Sequence, residues 1–128
     1  MKILFIDTVH SVLQERLEKE NIECIDGTAF TKTECLDILP EINGIVIRSR
    51  FQLDEDFLNS GKNLQFIARS GAGMENIDEA FCKKHQIKLF NAPEGNRNAV
   101  GEHGVGMILA LFNRLHIADQ EIRKGKWE

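Results

Sequence analysis

Short apolar runs alternate with amphipathic stretches along most of this chain. Ile3 to Ile6 is fully apolar, the pattern of a strand buried on both faces. Val12, Leu13 and Leu17 follow at helical spacing, with Glu15, Arg16, Glu18 and Lys19 on the other side. Ile22 to Ile25 reads as a second strand. Thr31-Lys32-Thr33-Glu34 is a capping-box pattern, opening a helix that continues through Leu36 and Leu39 until Pro40 closes it. Gly44 to Ile47 is a third strand and runs into Arg48-Ser49-Arg50. Asp54 to Leu58 reads as a short helix stopped by Ser60-Gly61, and Leu64 to Ala68 as a fourth strand. Ile77 to His85 is helical, and Ile87 to Phe90 is a fifth strand running into Asn91-Ala92-Pro93. Strands and helices that alternate over such short connections predict an α/β fold, a parallel sheet with helices on both faces. Five strands fit the flavodoxin-like order 2-1-3-4-5.

The last third departs from that plan. From Asn98 to about Lys124 the pattern predicts one long helix, with Val100, Met107, Ile108, Leu111, Leu115, Ala118 and Ile122 along a stripe. Val105, Leu109 and Phe112 give its middle turns a second apolar face, more than one five-stranded sheet covers. Gly101, Gly104 and Gly106 each weaken a helix by about 1 kcal/mol relative to alanine. They imply a close approach of backbone or ligand there. The chain stops at Gly125-Lys126-Trp127-Glu128, which reads as a truncation.

Composition narrows the partners. The 128 residues, 42% hydrophobic and 28% charged, suit a soluble globular domain with a real core. A net charge of −4 argues against nucleic acid as the partner. The three cysteines, Cys24, Cys35 and Cys82, form no CxxC pair and suggest no metal site. They read as reduced thiols. No run approaches a membrane span, and the N-terminal apolar run is too short for a signal peptide, so the expectation is a cytoplasmic protein.

In open parallel sheets, ligands bind beyond the carboxyl ends of the strands. Three such ends carry informative residues. Arg48-Ser49-Arg50 offers paired guanidinium donors to a carboxylate or phosphate. Arg69-Ser70-Gly71-Ala72-Gly73 is a strand-to-helix turn whose bare N–H groups suit an anion. Asn91-Ala92-Pro93-Glu94-Gly95-Asn96 is the third. Taken singly, each also fits an ordinary turn or a solvated strand end; together at one rim they point to an anion. Gly71 and Gly73 are not a dinucleotide fingerprint, because Asn76 stands where the third glycine belongs and the turn follows the fourth strand. Nor does the chain fit a phosphoacceptor domain, since Asp7 ends the first strand but Arg48 follows the third. Glu102 and His103, adjacent on a helix, point about 100° apart and cannot form a dyad.

Ile47-Arg48-Ser49-Arg50, Ala68-Arg69-Ser70-Gly71-Ala72-Gly73-Met74-Glu75-Asn76-Ile77-Asp78, Phe90-Asn91-Ala92-Pro93, Glu94-Gly95-Asn96, Val100-Gly101-Glu102-His103 and Gly125-Lys126-Trp127 occur in one order and spacing. As a set they resemble the N-terminal part of the NAD-dependent D-2-hydroxyacid dehydrogenases, most closely the branch that acts on 3-phosphoglycerate. The resemblance implies a substrate-binding flavodoxin-like domain over 1–97. It also implies an inter-domain helix over 98–128 that begins an NAD-binding Rossmann domain. Arg48, Ser49 and Arg50 would face the charged end of a small 2-hydroxy or 2-keto acid. Ser70, Gly71 and Ala72 would present backbone N–H groups to its carboxylate, and Ala72, Asn96 and Val100 would lie near the nicotinamide. The catalytic arginine, glutamate and histidine, and most of the NAD site, would lie in the second domain, so this chain holds no catalytic residue and would be inactive alone. Ala72 stands where threonine is frequent in the family, and Glu75 where aspartate is. The exposed helix 98–124 implies self-association or a homodimer. The rival reading is a non-catalytic acid-binding or protein-interaction module derived from that family.

Overall fold

The computed structural model describes residues 1–127. The chain divides into two compact units, one from Met1 to Pro93 and one from Glu94 onward. The first unit is a five-stranded parallel sheet of order β2-β1-β3-β4-β5. Its strands are β1 (Lys2–Phe5), β2 (Glu23–Asp26), β3 (Gly44–Ile47), β4 (Phe66–Arg69) and β5 (Lys88–Phe90). The helices between them are α1 (Ser11–Lys19), α2 (Lys32–Ile38), α3 (Glu55–Leu58) and α4 (Glu79–Lys84). This is the doubly wound topology that the alternation of runs predicts.

The pleat sorts the apolar runs onto two faces. Leu4, Ile6, Ile45, Ile47 and Ile67 form the larger core with Cys35, Leu39, Phe57, Leu58, Phe81 and Cys82 from the connections after β2, β3 and β4. Ile3, Phe5 and Val46 point the other way and pack with Leu17 of α1, Ile22, Phe66 and Ala68. Register explains one glycine. Gly44 opens β3 directly opposite Phe66 of β4. A Cβ at Gly44 would overlap the Phe66 ring, so the aromatic side chain occupies the space that the glycine leaves.

Helix starts follow the capping chemistry. Glu34 N–H donates to Thr31 Oγ1 at 3.2 Å and Thr31 N–H donates to Glu34 Oε2 at 2.7 Å, closing the capping box of α2. Asp54 and Asp78 lie outside their helices as N-caps, accepting from Phe57 N–H and Phe81 N–H at 2.9 Å each. Leu39 and Pro40 fall in a short 3-10 turn, Leu39–Glu41, after α2 ends at Ile38.

The second unit corrects the single-helix expectation. It holds two helices, α5 (Glu94–Phe112) and α6 (Leu115–Arg123). The first of them begins four residues before Asn98, directly after Pro93, so Gly95 and Asn96 are helical. The helical run breaks because Arg114 adopts a left-handed backbone with φ of 51°. Asn113 completes that end, its Nδ2 donating to Leu109 O at 2.9 Å. The second helix ends in a Schellman motif on Gly125, φ 71°, with Gly125 N–H donating to Ile122 O and Lys126 N–H to Glu121 O at 2.9 Å each. The four glycines of α5 have no close neighbour: a Cβ built at Gly95, Gly101, Gly104 or Gly106 meets nothing within 4 Å among the described residues. No helix among them is long and apolar enough to cross a membrane.

Candidate acid-binding rim

The turns after β3 and β4 lie side by side at the carboxyl edge of the sheet, since those strands are neighbours in register from Gly44 opposite Phe66 to Ile47 opposite Arg69. Arg48, Ser49 and Arg50 are all exposed there, and so are Ser70 and Ala72, with Gly71 half-buried. The structure therefore brings the first six expected acid-binding residues to one rim. Asn96 and Val100 lie four residues apart on α5, which puts them on one helix face, and both are exposed.

The hydrogen bonds assign different work to the arginines. Arg50 Nη1 donates to Ile6 O at 3.0 Å and Gly27 O at 3.1 Å, tying the turn after β3 to the ends of β1 and β2. Arg69 is half-buried and turned inward. Its Nε donates to Arg48 O at 3.0 Å, its Nη1 to Gly73 O, and its Nη2 lies 3.4 Å from Glu75 Oε2. Arg69 thus staples the glycine turn to the turn beside it. Arg48 has no side-chain partner among the described residues, so its guanidinium is available to a ligand.

The backbone donors divide likewise. Ser70 N–H donates to Ile47 O at 2.8 Å and Gly71 N–H to Arg69 O at 2.9 Å. These two amides build the turn itself. Ala72 N–H has no acceptor among the described residues. Its carbonyl accepts from Asn91 Nδ2 at 2.6 Å, while Ala92 N–H donates to Gly71 O at 2.9 Å, so the turn after β5 holds the glycine turn from its other side.

Below the rim, Leu53 and Ile77 form a parallel bridge that joins the segments leaving both turns. Leu53 N–H donates to Asn76 O at 2.8 Å and Asp78 N–H to Leu53 O at 3.0 Å. Asn76, the one buried polar residue among the described residues, donates from Nδ2 to Phe51 O at 3.4 Å, and its Oδ1 has no partner. Asn76 stands where a nucleotide fingerprint would have its third glycine, and here its amide serves to pack two rim segments together.

Sequence reasoning missed the work that three residues do at this rim: Asp7, Arg69 and Asn91. Asp7 Oδ2 accepts from the backbone N–H groups of Arg48, Ser49 and Arg50 at 2.6, 3.0 and 3.3 Å. All three act on backbone atoms of a neighbouring strand end, and the signal that would have found them is strand adjacency.

The thiols are all shifted toward their protonated form. Burial pushes Cys82 up to about 11, with Asp78 and Glu79 adding to the shift, and burial also raises Cys35 and Cys24. Among the described residues, no group of three or more His, Cys, Asp or Glu is placed to hold a metal ion. The rim offers a ligand the unpaired Arg48 guanidinium and unpaired amides of the glycine turn, Ala72 N–H among them, donors suited to an anion.

Residues 3–124 match the family model described as D-isomer specific 2-hydroxyacid dehydrogenase, catalytic domain. The chain belongs to this dehydrogenase family. Among similar members, a D-3-phosphoglycerate dehydrogenase of Archaeoglobus fulgidus is 30% identical over 128 residues, covering 100% of this chain and 24% of the relative. A hydroxypyruvate reductase of Thermotoga maritima is 35% identical over 112 residues, covering 88% of this chain and 36% of the relative. The NAD+-bound crystal structure of 3-phosphoglycerate dehydrogenase from Entamoeba histolytica superposes with a TM-score of 0.68 at 30% identity, covering 86% of this chain and 38% of that one. The chain therefore spans well under half the length of these dehydrogenases.

Proposed function

We propose that this chain supplies the acid-binding part of an NAD-dependent dehydrogenase that interconverts a D-2-hydroxy acid and its 2-keto acid, with 3-phosphoglycerate as the substrate. The observation that carries the reading is the exposed, unpartnered Arg48 guanidinium on the same rim as the unpartnered Ala72 amide. In this reading Arg48 and Ser49 hold the charged end remote from C2, Arg50 contributes through Nε and Nη2, and Ala72 N–H donates to the carboxylate. Ser70 and Gly71 set the turn that aims that amide. A phosphorylated acid carries charge at both ends and suits donors spread along a rim.

The residues present fit part of a nicotinamide site. Asn96 offers an amide and Val100 an apolar contact on one face of α5, a pairing suited to a flat ring with a carboxamide. When bound, NAD accepts or donates the hydride at C2. The stretch from residue 98 on is then the start of the domain that binds it, and the catalytic groups lie outside this chain.

Turnover tests the reading. The whole protein to which this chain belongs should reduce NAD with 3-phosphoglycerate, faster than with glycerate or D-lactate, as followed by NADH absorbance. The 128-residue chain alone should give no turnover. Turnover by the chain alone, or a whole protein inert toward every acid tried in both directions, would overturn the proposal.

We also infer self-association through the second unit. Val105, Ile108, Leu109 and Phe112 of α5 are exposed, Phe112 by 85%. An apolar helix face of this kind drives association in water. Light scattering on the chain should show an apparent mass that rises with concentration; a constant monomer mass across the range excludes it.

A further inference from the structure

One carboxylate at the rim is not used by the function proposed above. Asp7 follows β1, one residue after the fully buried Ile6. Because β1 lies beside β3 in the sheet, Asp7 faces the turn Arg48-Ser49-Arg50 across 41 residues of sequence. One oxygen, Oδ2, accepts from three consecutive backbone N–H groups, the tightest at 2.6 Å. Consecutive N–H groups converging on one point form an anion nest. In this protein the nest is filled by the chain's own side chain.

Two other roles fit poorly. For a general base, the observed bonds point elsewhere: every hydrogen bond Asp7 makes goes from Oδ2 to backbone N–H groups of the neighbouring turn, the geometry of a structural tie. A metal ligand needs companions, and no such group exists among the described residues. What remains is a carboxylate whose partners are all backbone atoms of the acid-binding turn. The site is well anchored. Ile6 N–H donates to Val46 O at 2.8 Å, and Ile6 O accepts from Arg50 Nη1 at 3.0 Å, so the residue preceding Asp7 is held on both sides.

We propose that Asp7 is a positioning residue for acid recognition: its carboxylate fixes the Arg48-Ser49-Arg50 turn through three N–H groups and thereby aims the Arg48 guanidinium along the rim. The inference rests on the acid-binding reading given above. Two physical consequences follow. First, the turn is pre-organised, so binding an acid does not have to order it. Second, the three amides are already neutralised by Asp7, so an incoming anion meets the guanidinium of Arg48 and not the backbone of its turn. The link also passes onward, because Arg48 O accepts from Arg69 Nε and Arg69 holds Gly73 O. Loosening Asp7 therefore loosens the glycine turn and with it the Ala72 amide.

The test uses the whole protein with Asp7→Ala and Asp7→Asn. Asparagine keeps a side-chain oxygen for the same N–H groups but removes the charge that strengthens those bonds. Asp7→Ala should raise KM for the acid about tenfold or more, with kcat and KM for NAD changed by about twofold at most. Asp7→Asn should fall between the wild type and Asp7→Ala. Amide hydrogen exchange on the same proteins should show Arg48, Ser49 and Arg50 exchanging at least about tenfold faster in Asp7→Ala, with the amides of β4 unchanged. Equal acid KM in all three proteins, or a uniform loss of kcat and of both KM values, overturns the proposal. If Asp7→Ala fails to fold, Asp7→Asn carries the test, and an unshifted acid KM there overturns it. A wild type inert toward all acids refutes the dehydrogenase reading instead, and the exchange pattern then decides the Asp7 link on its own.

Discussion

Replacing Phe57 with alanine should destabilise the sheet unit by about 3–5 kcal/mol, the range for emptying a large aromatic from a packed core. Phe57 is 0% exposed and belongs to the larger core. It sits on α3, a helix of only four residues that has little stability of its own. That helix exists because Asp54 caps Phe57 N–H and because Phe57 and Leu58 are buried against the sheet. The ring also meets Phe51 at 5.8 Å between centroids and lies 5.7 Å below Lys32 Nζ. Domains of this size are stable by about 5–15 kcal/mol, so the change removes a large share of the total. Urea unfolding followed by circular dichroism should show a much lower midpoint for Phe57→Ala. A loss below about 1 kcal/mol would mean that the pocket collapses around the gap, contrary to the packing described.

Arg48→Ala in the whole protein should raise KM for 3-phosphoglycerate about ten- to hundredfold while moving kcat far less. A hydrogen bond to a charged group contributes about 1.5–3 kcal/mol, and each 1.4 kcal/mol is tenfold in affinity. A group that holds a remote charge equally in ground and transition states affects KM and leaves kcat nearly untouched. Arg48→Lys should recover only part of the loss, because an ammonium keeps the charge but not the planar fork. Arg50→Ala makes the contrast. Its Nη1 ties three strand ends together, so that change should lower the melting temperature as well as raise KM. Steady-state kinetics paired with calorimetry separates the two arginines. An unchanged KM in Arg48→Ala would remove Arg48 from the acid site.

The sheet is legible because its inner strands β1 and β3 are short and almost wholly buried, a pattern that a surface helix does not produce. Ile3 to Ile6 and Gly44 to Ile47 announce themselves by having no polar position. Helix starts differ by one or two residues where an aspartate does the capping. Asp54 and Asp78 read as helical residues in sequence but serve as caps just outside. The break between α5 and α6 is not legible, because an arginine rarely takes the left-handed conformation and neither glycine nor proline marks the site. The same apolar stripe runs on past it through Leu115, Ala118 and Ile122. At the rim, residue types mark the turns proposed to bind an acid but not the allocation of their donors. Arg48, Arg50 and Arg69 look alike in sequence. Only the folded chain distinguishes the free guanidinium from the two that bind backbone carbonyls, because those carbonyls belong to other strand ends. Asp7 is hidden for the same reason, since its partners lie 41 to 43 residues away.

The pinned rim has a consequence for how such a protein changes its preferences. The backbone of the turn after β3 is fastened by Asp7 and Arg50, and that of the glycine turn by Arg69 and Asn91. None of those four fastenings uses the side chain at position 48. That position is therefore a socket: its occupant can be exchanged while the frame stays in register. If the proposed substrate is right, evolution or an engineer seeking an unphosphorylated acid has a single-residue route there, and that route leaves the sheet untouched.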